Sequence, residues 1–303
     1  MGSDFRHGVP AIELSMTSLA VDRGTDKWNS LCKRVREACE NYGCFEIVYD
    51  KIPLQLRAEA FSLVRQLFSL PLETKKKNVN PKPFHGYCGE YPHVRLYESL
   101  GLEDASNFEA LILSLNTIVT MMRQLDELKD MIEMMILDSY GLGEKSDLII
   151  PCNTLLRVMK CGAPPSGEEV GLTAHTDKLL SAILCEDQVS GIEFETKDGQ
   201  WVKLSLSPSS FLFIVGDPLA WRNGRMHPVK HRVMMRGEKE RISLGIFPVP
   251  TEGTIIKPPK ELMDEEHPQI LKEFDFMEFF RFFSSEEGVA IDSAKPWVKY
   301  CQV

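Results

Sequence analysis

No stretch of the 303 residues approaches the roughly 20 consecutive apolar residues that a helix needs to cross a bilayer, so a helical membrane protein is not expected. The first residues, MGSDFRHG, lack the apolar core of a secretory leader, and Arg6 breaks the myristoylation pattern. Cys301 stands third from the end rather than fourth, so the prenylation pattern fails as well. The eight cysteines contain no Cys-x-x-Cys pair, which leaves buried or free thiols in a reducing compartment and an expected cytoplasmic location. Positive charge is in deficit, with 35 Lys and Arg against 44 Asp and Glu and a net charge of −9. Such a surface repels phosphate backbones, so no nucleic-acid partner is expected, and the basic run Lys75–Lys77 reads as a solvated turn. There is no internal repeat and no low-complexity segment. The expectation is a monomer acting on a small molecule, with no membrane partner.

Hydrophobic residues make up 43% of the chain and charged residues 26%, ordinary values for a globular protein. A chain this long can bury a sizeable core, as one large β domain or two smaller units. The first half reads as mainly helical. Lys27 to Tyr42 carries Trp28, Leu31, Cys32, Val35, Ala38, Cys39 and Tyr42 at helical spacing, with Thr25 and Asp26 as candidate caps and Gly43 as its stop. CFEIV then begins a strand. A second helix is predicted from about Pro53 to Phe68, with the proline in its first turn, and a long third helix from about Leu115 to Tyr140, stopped by Gly141. From Thr154 to Pro250 short apolar strands alternate with turn signals, among them the Asp198-Gly199 hairpin. CGAPPSG, residues 161–167, reads as a loop within this part, and a last helix is predicted over about Asp275 to Phe283. The predicted fold class is mixed α/β (α+β): a jelly-roll, or double-stranded β-helix, core. Residues 1–150 form its helical N-terminal region, and residues 151–303 the core with its C-terminal helix and tail.

Five polar residues in the second half carry chemistry. His175 and Asp177 are two apart in GLTAHTDKLLSAIL, a spacing that puts both on one face of a strand but about 200° apart on a helix. His227 and His231, four apart in HPVKHRVMM, also share a face, so either could supply a second imidazole. Arg241 and Ser243 follow as Arg-x-Ser. Each element alone is more often a surface or hydrogen-bonded group. Together, in this order, two imidazoles and a carboxylate suit a non-haem Fe(II) site with positions open for a co-substrate and O2. The arginine and serine suit the far end of a dicarboxylate such as 2-oxoglutarate. The same three ligands could hold Zn(II), but water attack in a zinc hydrolase needs no carboxylate clamp.

The segments HTDKLLSAIL (175–184), GIEFETKDGQWVKL (191–204), SPSSFLFIVGD (207–217), WRNGRMHPVKHRVMM (221–235) and RISLGIFPVP (241–250) resemble the core of the plant 2-oxoglutarate/Fe(II)-dependent dioxygenases. GCFEIVYDKI (43–52), LPLETKKKN (70–78), GYCGEYP (86–92) and LYESLG (96–101) extend the resemblance over nearly the whole chain, and it is greatest to the AOP-like branch, named after enzymes of glucosinolate side-chain modification. The resemblance implies that the histidine followed by Arg-Val, His231, is the metal ligand beside His175 and Asp177. It implies that Arg241 and Ser243 bind the co-substrate, and that Phe84, His85, Tyr87, Tyr97, Met122 and Phe247 border the substrate. It further implies Fe(II), 2-oxoglutarate and O2 as requirements, ascorbate as the in vitro reductant, and succinate and CO2 as products. Hydroxylation, desaturation, dealkylation or ring closure of a small specialised metabolite would follow.

The chain departs from the family pattern twice. Cys161, in LLRVMKCGAPP, stands where relatives carry a tyrosine that helps hold the distal carboxylate, and a thiol is a weaker donor than a phenol. SNFEALILSLNTIVTMM, residues 106–122, is shorter than the matching segment of AOP-like relatives and lacks its Met-Trp-Pro. The second reading is therefore a catalytically weak or inactive dioxygenase-like protein that binds small molecules. A third is a cupin-like metal hydrolase, which would work with Zn(II) and without 2-oxoglutarate. Succinate release that depends on Fe(II) separates the three.

Overall fold

The computed structural model describes residues 5–6, 8–15, 23–91, 93–102, 112–145, 148–220, 224–263, 265, 269, 272–285 and 288. Trp221 to Asn223, residues 103–111 with the first part of the shortened segment, and the tail from 289 on lie outside the described residues. The strands are β1 (Phe5–Arg6), β2 (Val9–Glu13), β3 (Cys44–Val48), β4 (Tyr87–Gly89), β5 (Tyr97–Leu102), β6 (Cys152–Cys161), β7 (Glu168–His175) and β8 (Ser181–Glu186). They continue as β9 (Ile192–Glu195), β10 (Trp201–Lys203), β11 (Ser210–Val215), β12 (His231–Arg236), β13 (Arg241–Pro250), β14 (Ile255–Ile256) and β15 (Phe274–Asp275). The α-helices are α1 (Asp26–Asn41), α2 (Leu54–Phe68), α3 (Leu72–Lys75), α4 (Ile112–Ser139), α5 (Asp217–Ala220) and α6 (Phe276–Phe283).

Helix ends follow the cap chemistry. Thr25 Oγ1 accepts from the Trp28 N–H at 3.3 Å, so Thr25 is the cap and Asp26 the first helical residue. Pro53 is itself the N-cap of α2, one step outside the helix that the sequence placed it in. Helix α4 begins at Ile112, earlier than Leu115, and ends at Ser139 before Gly141, which has φ +71°. Asp275 caps α6 by accepting from the Glu278 N–H at 2.9 Å.

From β6 to β13 the chain passes back and forth between two sheets, with the β9–β10 hairpin lying wholly in one of them. β6, β8, β11 and β13 join a nine-stranded sheet of order β1-β2-β3-β11-β8-β13-β6-β5-β4, while β7, β9 and β12 join a four-stranded sheet of order β10-β9-β12-β7. This is the jelly-roll architecture. Among the described residues only β2 and β3 pair in parallel. The larger sheet draws β1 to β5 from the N-terminal region, so that region builds the same sheet as the core.

Strand alternation sorts the larger sheet into two faces. Leu156, Val158, Ile183, Phe211, Phe213, Leu244 and Ile246 point outward, where Val35 of α1, Val64 of α2, and Leu125, Leu128 and Ile132 of α4 bury them. Leu155, Ala182, Leu212, Ile214 and Phe247 point inward and meet Ile192 and Phe194 of the smaller sheet and Phe276, Phe279 and Phe280 of α6. The polar residues of the inner face are therefore the ones positioned for chemistry: Arg157, Glu186, Arg241 and Ser243.

Candidate active site

β7 and β12 are antiparallel neighbours in the smaller sheet, and His175 pairs in register with His231. The last residue of β7 and the first of β12 thus stand side by side, with ring centroids 4.3 Å apart. Asp177 lies two residues past the end of β7, outside the strand in which the sequence placed it. Its Oδ1 is 3.7 Å from His175 Nε2 and 3.7 Å from His231 Nε2. One ligand atom from each of the three lies within 4.8 Å of the others. Each imidazole is turned by its own strand. His175 Nδ1 is 2.8 Å from Thr173 O, and His231 Nδ1 is 3.2 Å from Val229 O. With Nδ1–H donated to a carbonyl, both Nε2 lone pairs are directed at one point.

Desolvation by burial, with His231 close by, pushes the His175 imidazole down to about 4, so it is neutral and able to ligate at neutral pH. Asp177 Oδ2 is buried and has no hydrogen-bond partner among the described residues. Two imidazoles aimed at a common focus beside a carboxylate with an orphaned oxygen are what a divalent cation would complete. His227 is not part of this group. It lines a separate cleft with Tyr42, Phe194 and Lys197, and burial lowers its pKa.

The turn that carries Asp177 is fixed from behind. Asp217, wholly buried, donates its backbone N–H to Asp177 O at 2.8 Å. Its Oδ2 accepts from Thr176 Oγ1 at 3.1 Å and from Lys178 Nζ at 2.6 Å. Burial raises the Asp217 carboxyl pKa against the pull of Lys178. Gly216 lets these segments touch, since a Cβ there would sit 1.7 Å from Leu179 O.

Arg241 and Ser243 alternate onto the inner face of β13 and are both buried. Arg241 Nη1 donates to Ser243 Oγ at 3.0 Å, which leaves the hydroxyl hydrogen free for another acceptor. Arg241 Nε donates to Glu186 Oε2 at 3.0 Å across the β8–β13 pairing. Glu186 is buried, and its Oε1 has no partner among the described residues. Cys161 pairs in register with Arg241 and so shares its face. The thiol is enclosed by Val94, Tyr97, Val233 and Met235.

Residues 153–250 match the 2OG-Fe(II) oxygenase superfamily, and residues 9–108 match the N-terminal region of the non-haem dioxygenase in morphine synthesis. The chain is 39% identical over 308 residues to the "Probable 2-oxoglutarate-dependent dioxygenase AOP1.2" of Arabidopsis thaliana, covering 94% of each protein. The protein belongs to the 2-oxoglutarate/Fe(II)-dependent dioxygenases. Among solved structures, the rice dioxygenase for auxin oxidation superposes with a TM-score of 0.77 at 30% identity, covering 91% of this chain and 94% of that one. Its Arabidopsis thaliana counterpart, solved with 2-oxoglutarate, gives a TM-score of 0.77 at 28% identity over 86% of this chain and 99% of its own. Fe(II) and 2-oxoglutarate are accordingly the metal and co-substrate of this oxidoreductase.

In this dioxygenase a cavity of about 690 Å³ opens beside His175 and Asp177. Phe84, Tyr97 and Phe247 line it. His85, Tyr87 and Met122 do not. His85 borders a different cleft with Asn153 and Arg281; the Tyr87 hydroxyl donates to Glu98 at 3.3 Å; Met122 packs against the helix–sheet core. Arg157, Phe280 and Phe283 line the cavity without having been singled out in the sequence, and Glu186 and Asp217 support it. The inward parity of Arg157 and Glu186 on their strands was the available signal.

Proposed function

We propose that His175, Asp177 and His231 hold Fe(II), that Arg241 and Ser243 hold the distal carboxylate of 2-oxoglutarate, and that a small specialised metabolite is oxidised in the adjoining cavity. The observation that carries this reading is the convergence of the three ligand atoms beside a cavity of about 690 Å³ walled in part by Phe84, Phe247, Phe280 and Phe283. When bound, Fe(II) couples O2 reduction to oxidative decarboxylation of 2-oxoglutarate, giving succinate and CO2. The protein's own part is positional. Thr173 and Val229 orient the imidazoles, and Asp217 anchors the Asp177 turn. Ser243 offers its remaining hydrogen beside the Arg241 guanidinium. The aromatic walls keep water from the reacting carbon. Hydroxylation, desaturation, dealkylation and ring closure all begin with removal of a substrate hydrogen here. Residues 1–150 act as a cover that completes the larger sheet, and residues 151–303 carry the ligands. No helix among the described residues is long and apolar enough to cross a membrane. Seven described cysteines are free thiols, and the net charge is −9, which fits a cytoplasmic monomer without a nucleic-acid partner.

The test is an anaerobic titration with Fe(II) and 2-oxoglutarate, read as the visible charge-transfer band of the chelate, followed by aerobic succinate release with ascorbate present. The wild-type protein should give both. His175→Ala, Asp177→Ala and His231→Ala should each abolish both, while His227→Ala keeps most of each. Loss of the band in His227→Ala with retention in His231→Ala would overturn the ligand assignment. Turnover with Zn(II) and no 2-oxoglutarate would return the site to a hydrolase.

A further inference from the structure

Two strong cations line the cavity among the described residues, Lys178 and Arg157. Lys178 is ion-paired with Asp217 at 2.6 Å. Arg157 has no carboxylate partner among the described residues. Its Nη2 donates to Ser99 Oγ at 2.7 Å and to Tyr97 Oη at 3.2 Å, and its Nε is buried without an acceptor. A guanidinium has five N–H donors in a planar fork, so two hydroxyls leave most of its capacity unused, and no anion among the described residues balances its charge. In a partly desolvated wall that is a costly arrangement unless a ligand completes it.

The surroundings are shaped around this group. Arg157 projects from the inner face of β6, and its in-register neighbours on both sides are glycines, Gly101 on β5 and Gly245 on β13. A Cβ at Gly245 would stand 2.2 Å from Leu184 Cδ2, and one at Gly101 would stand 2.3 Å from Phe84 O. The guanidinium carbon lies 4.9 Å from the Phe84 ring centroid and 5.9 Å from that of Phe247. Phe84 holds its place at φ +64°, a left-handed backbone conformation that is strained for an aromatic residue and tends to occur at binding sites. Phe280 meets Phe84 with ring centroids 5.9 Å apart and lines the same cavity.

Building on the dioxygenase reading above, we propose that Arg157 anchors the carboxylate of the substrate, and that the substrate is a small monocarboxylic acid with a largely apolar body. A carboxylate matches the planar fork and supplies the missing counter-charge. The body would lie between Phe84, Phe247 and Phe280 and reach the wall formed by His175 and Asp177. This places a second anion site in the pocket, apart from the Arg241–Ser243 clamp. Arg157 binds the substrate and Arg241 the co-substrate.

The experiment uses phenylacetic, cinnamic, cyclohexylacetic and indole-3-acetic acids, each beside its primary amide. Binding is measured by anaerobic equilibrium dialysis to the full chain with Fe(II) and saturating 2-oxoglutarate, which keeps the acids from the Arg241 site. At least one acid should bind about 10- to 100-fold more tightly than its amide, the range for a hydrogen-bonded charge pair. Arg157→Gln should bring that ratio close to one, and Arg157→Lys should retain part of it, with melting temperature as the check on folding for both. If no acid is preferred by the wild-type protein, or if the preference survives in Arg157→Gln, the inference is wrong. The chelate band, recorded separately on the wild-type protein, reports the dioxygenase reading by itself. An acid preference that depends on Arg157 in a protein without the band would keep this proposal and overturn the other.

Discussion

Arg241 is joined to a carboxylate of the protein, and this changes what its removal would do. Glu186 is buried with one oxygen on Arg241 and the other unpartnered. Breaking a buried pair from one side costs about 3–5 kcal/mol because the remaining charge is stranded. Arg241→Ala should therefore lose stability of that order as well as raising the 2-oxoglutarate KM about 100-fold or more. Arg241→Ala combined with Glu186→Gln should recover most of the stability and none of the affinity. Denaturant melts and 2-oxoglutarate titrations of the single and double variants test this, and recovered affinity in the double variant would remove Arg241 from the clamp. Cys161 invites a related substitution. Burial pushes its thiol up to about 11, and its sulfur lies only 3.0 Å from where a Cβ at Gly171 would be. A phenol ring has no room there, so Cys161→Tyr should destabilise by about 1–3 kcal/mol through overpacking rather than tighten 2-oxoglutarate binding. An unchanged melting temperature in that variant would contradict the packing described.

At the scale of elements, the helices were the most legible part of the chain. Leu125, Leu128, Ile132 and Met135 repeat at helical spacing, and they are the residues that α4 buries against the larger sheet. Leu128→Ala should cost about 2–5 kcal/mol of unfolding free energy, measured by denaturant titration. The ends were less legible, because a cap is decided by which side-chain oxygen reaches a free N–H, as Thr25 does and Asp26 does not. A link between elements gives a prediction in pH. Glu98 on β5 accepts from Lys75 of α3 at 2.6 Å and lies 2.5 Å from Lys160 of β6. Burial favours its neutral form, but the two ammonium groups outweigh burial and hold its pKa below the ordinary value. A depressed folded-state pKa gives stability that is present above the unfolded value, about 4.3, and is lost as pH falls through the folded one. Glu98→Gln should be less stable than wild type by about 3 kcal/mol at pH 7, and the difference should close as the pH is taken below about 4. A difference that stays constant down to pH 2 would show that the carboxylate charge is not its source.

For the molecule as a whole, the alternation of strands between two sheets decides what the sequence could and could not reveal. His175 and Asp177 are legible because they sit together in one short motif, and His231 and Arg241-x-Ser243 because they follow it in a familiar order. Glu186 and Arg157 carry no such mark. Their meaning comes from partners on neighbouring strands, Arg241 for one and the glycine pair for the other. Phe280 and Phe283 arrive from α6, and only the fold folds them over the cavity.

β7 is the outermost strand of the smaller sheet, held to it through β12 alone. An edge strand with one neighbour is a place where a protein can fray. His175 ends that strand, and its counterpart His231 begins the neighbour that holds it. A cation shared by the two is thus a clasp on the free margin of the sheet, and the energy of metal capture is also energy that keeps the margin closed. Amide hydrogens of residues 168–175 should exchange markedly more slowly once Fe(II) is bound, while those of β11 in the middle of the larger sheet hardly change. The metal-free enzyme would then be most open to proteases along the very strand that carries its first ligand, so that iron supply would govern how long the protein lasts as well as whether it works.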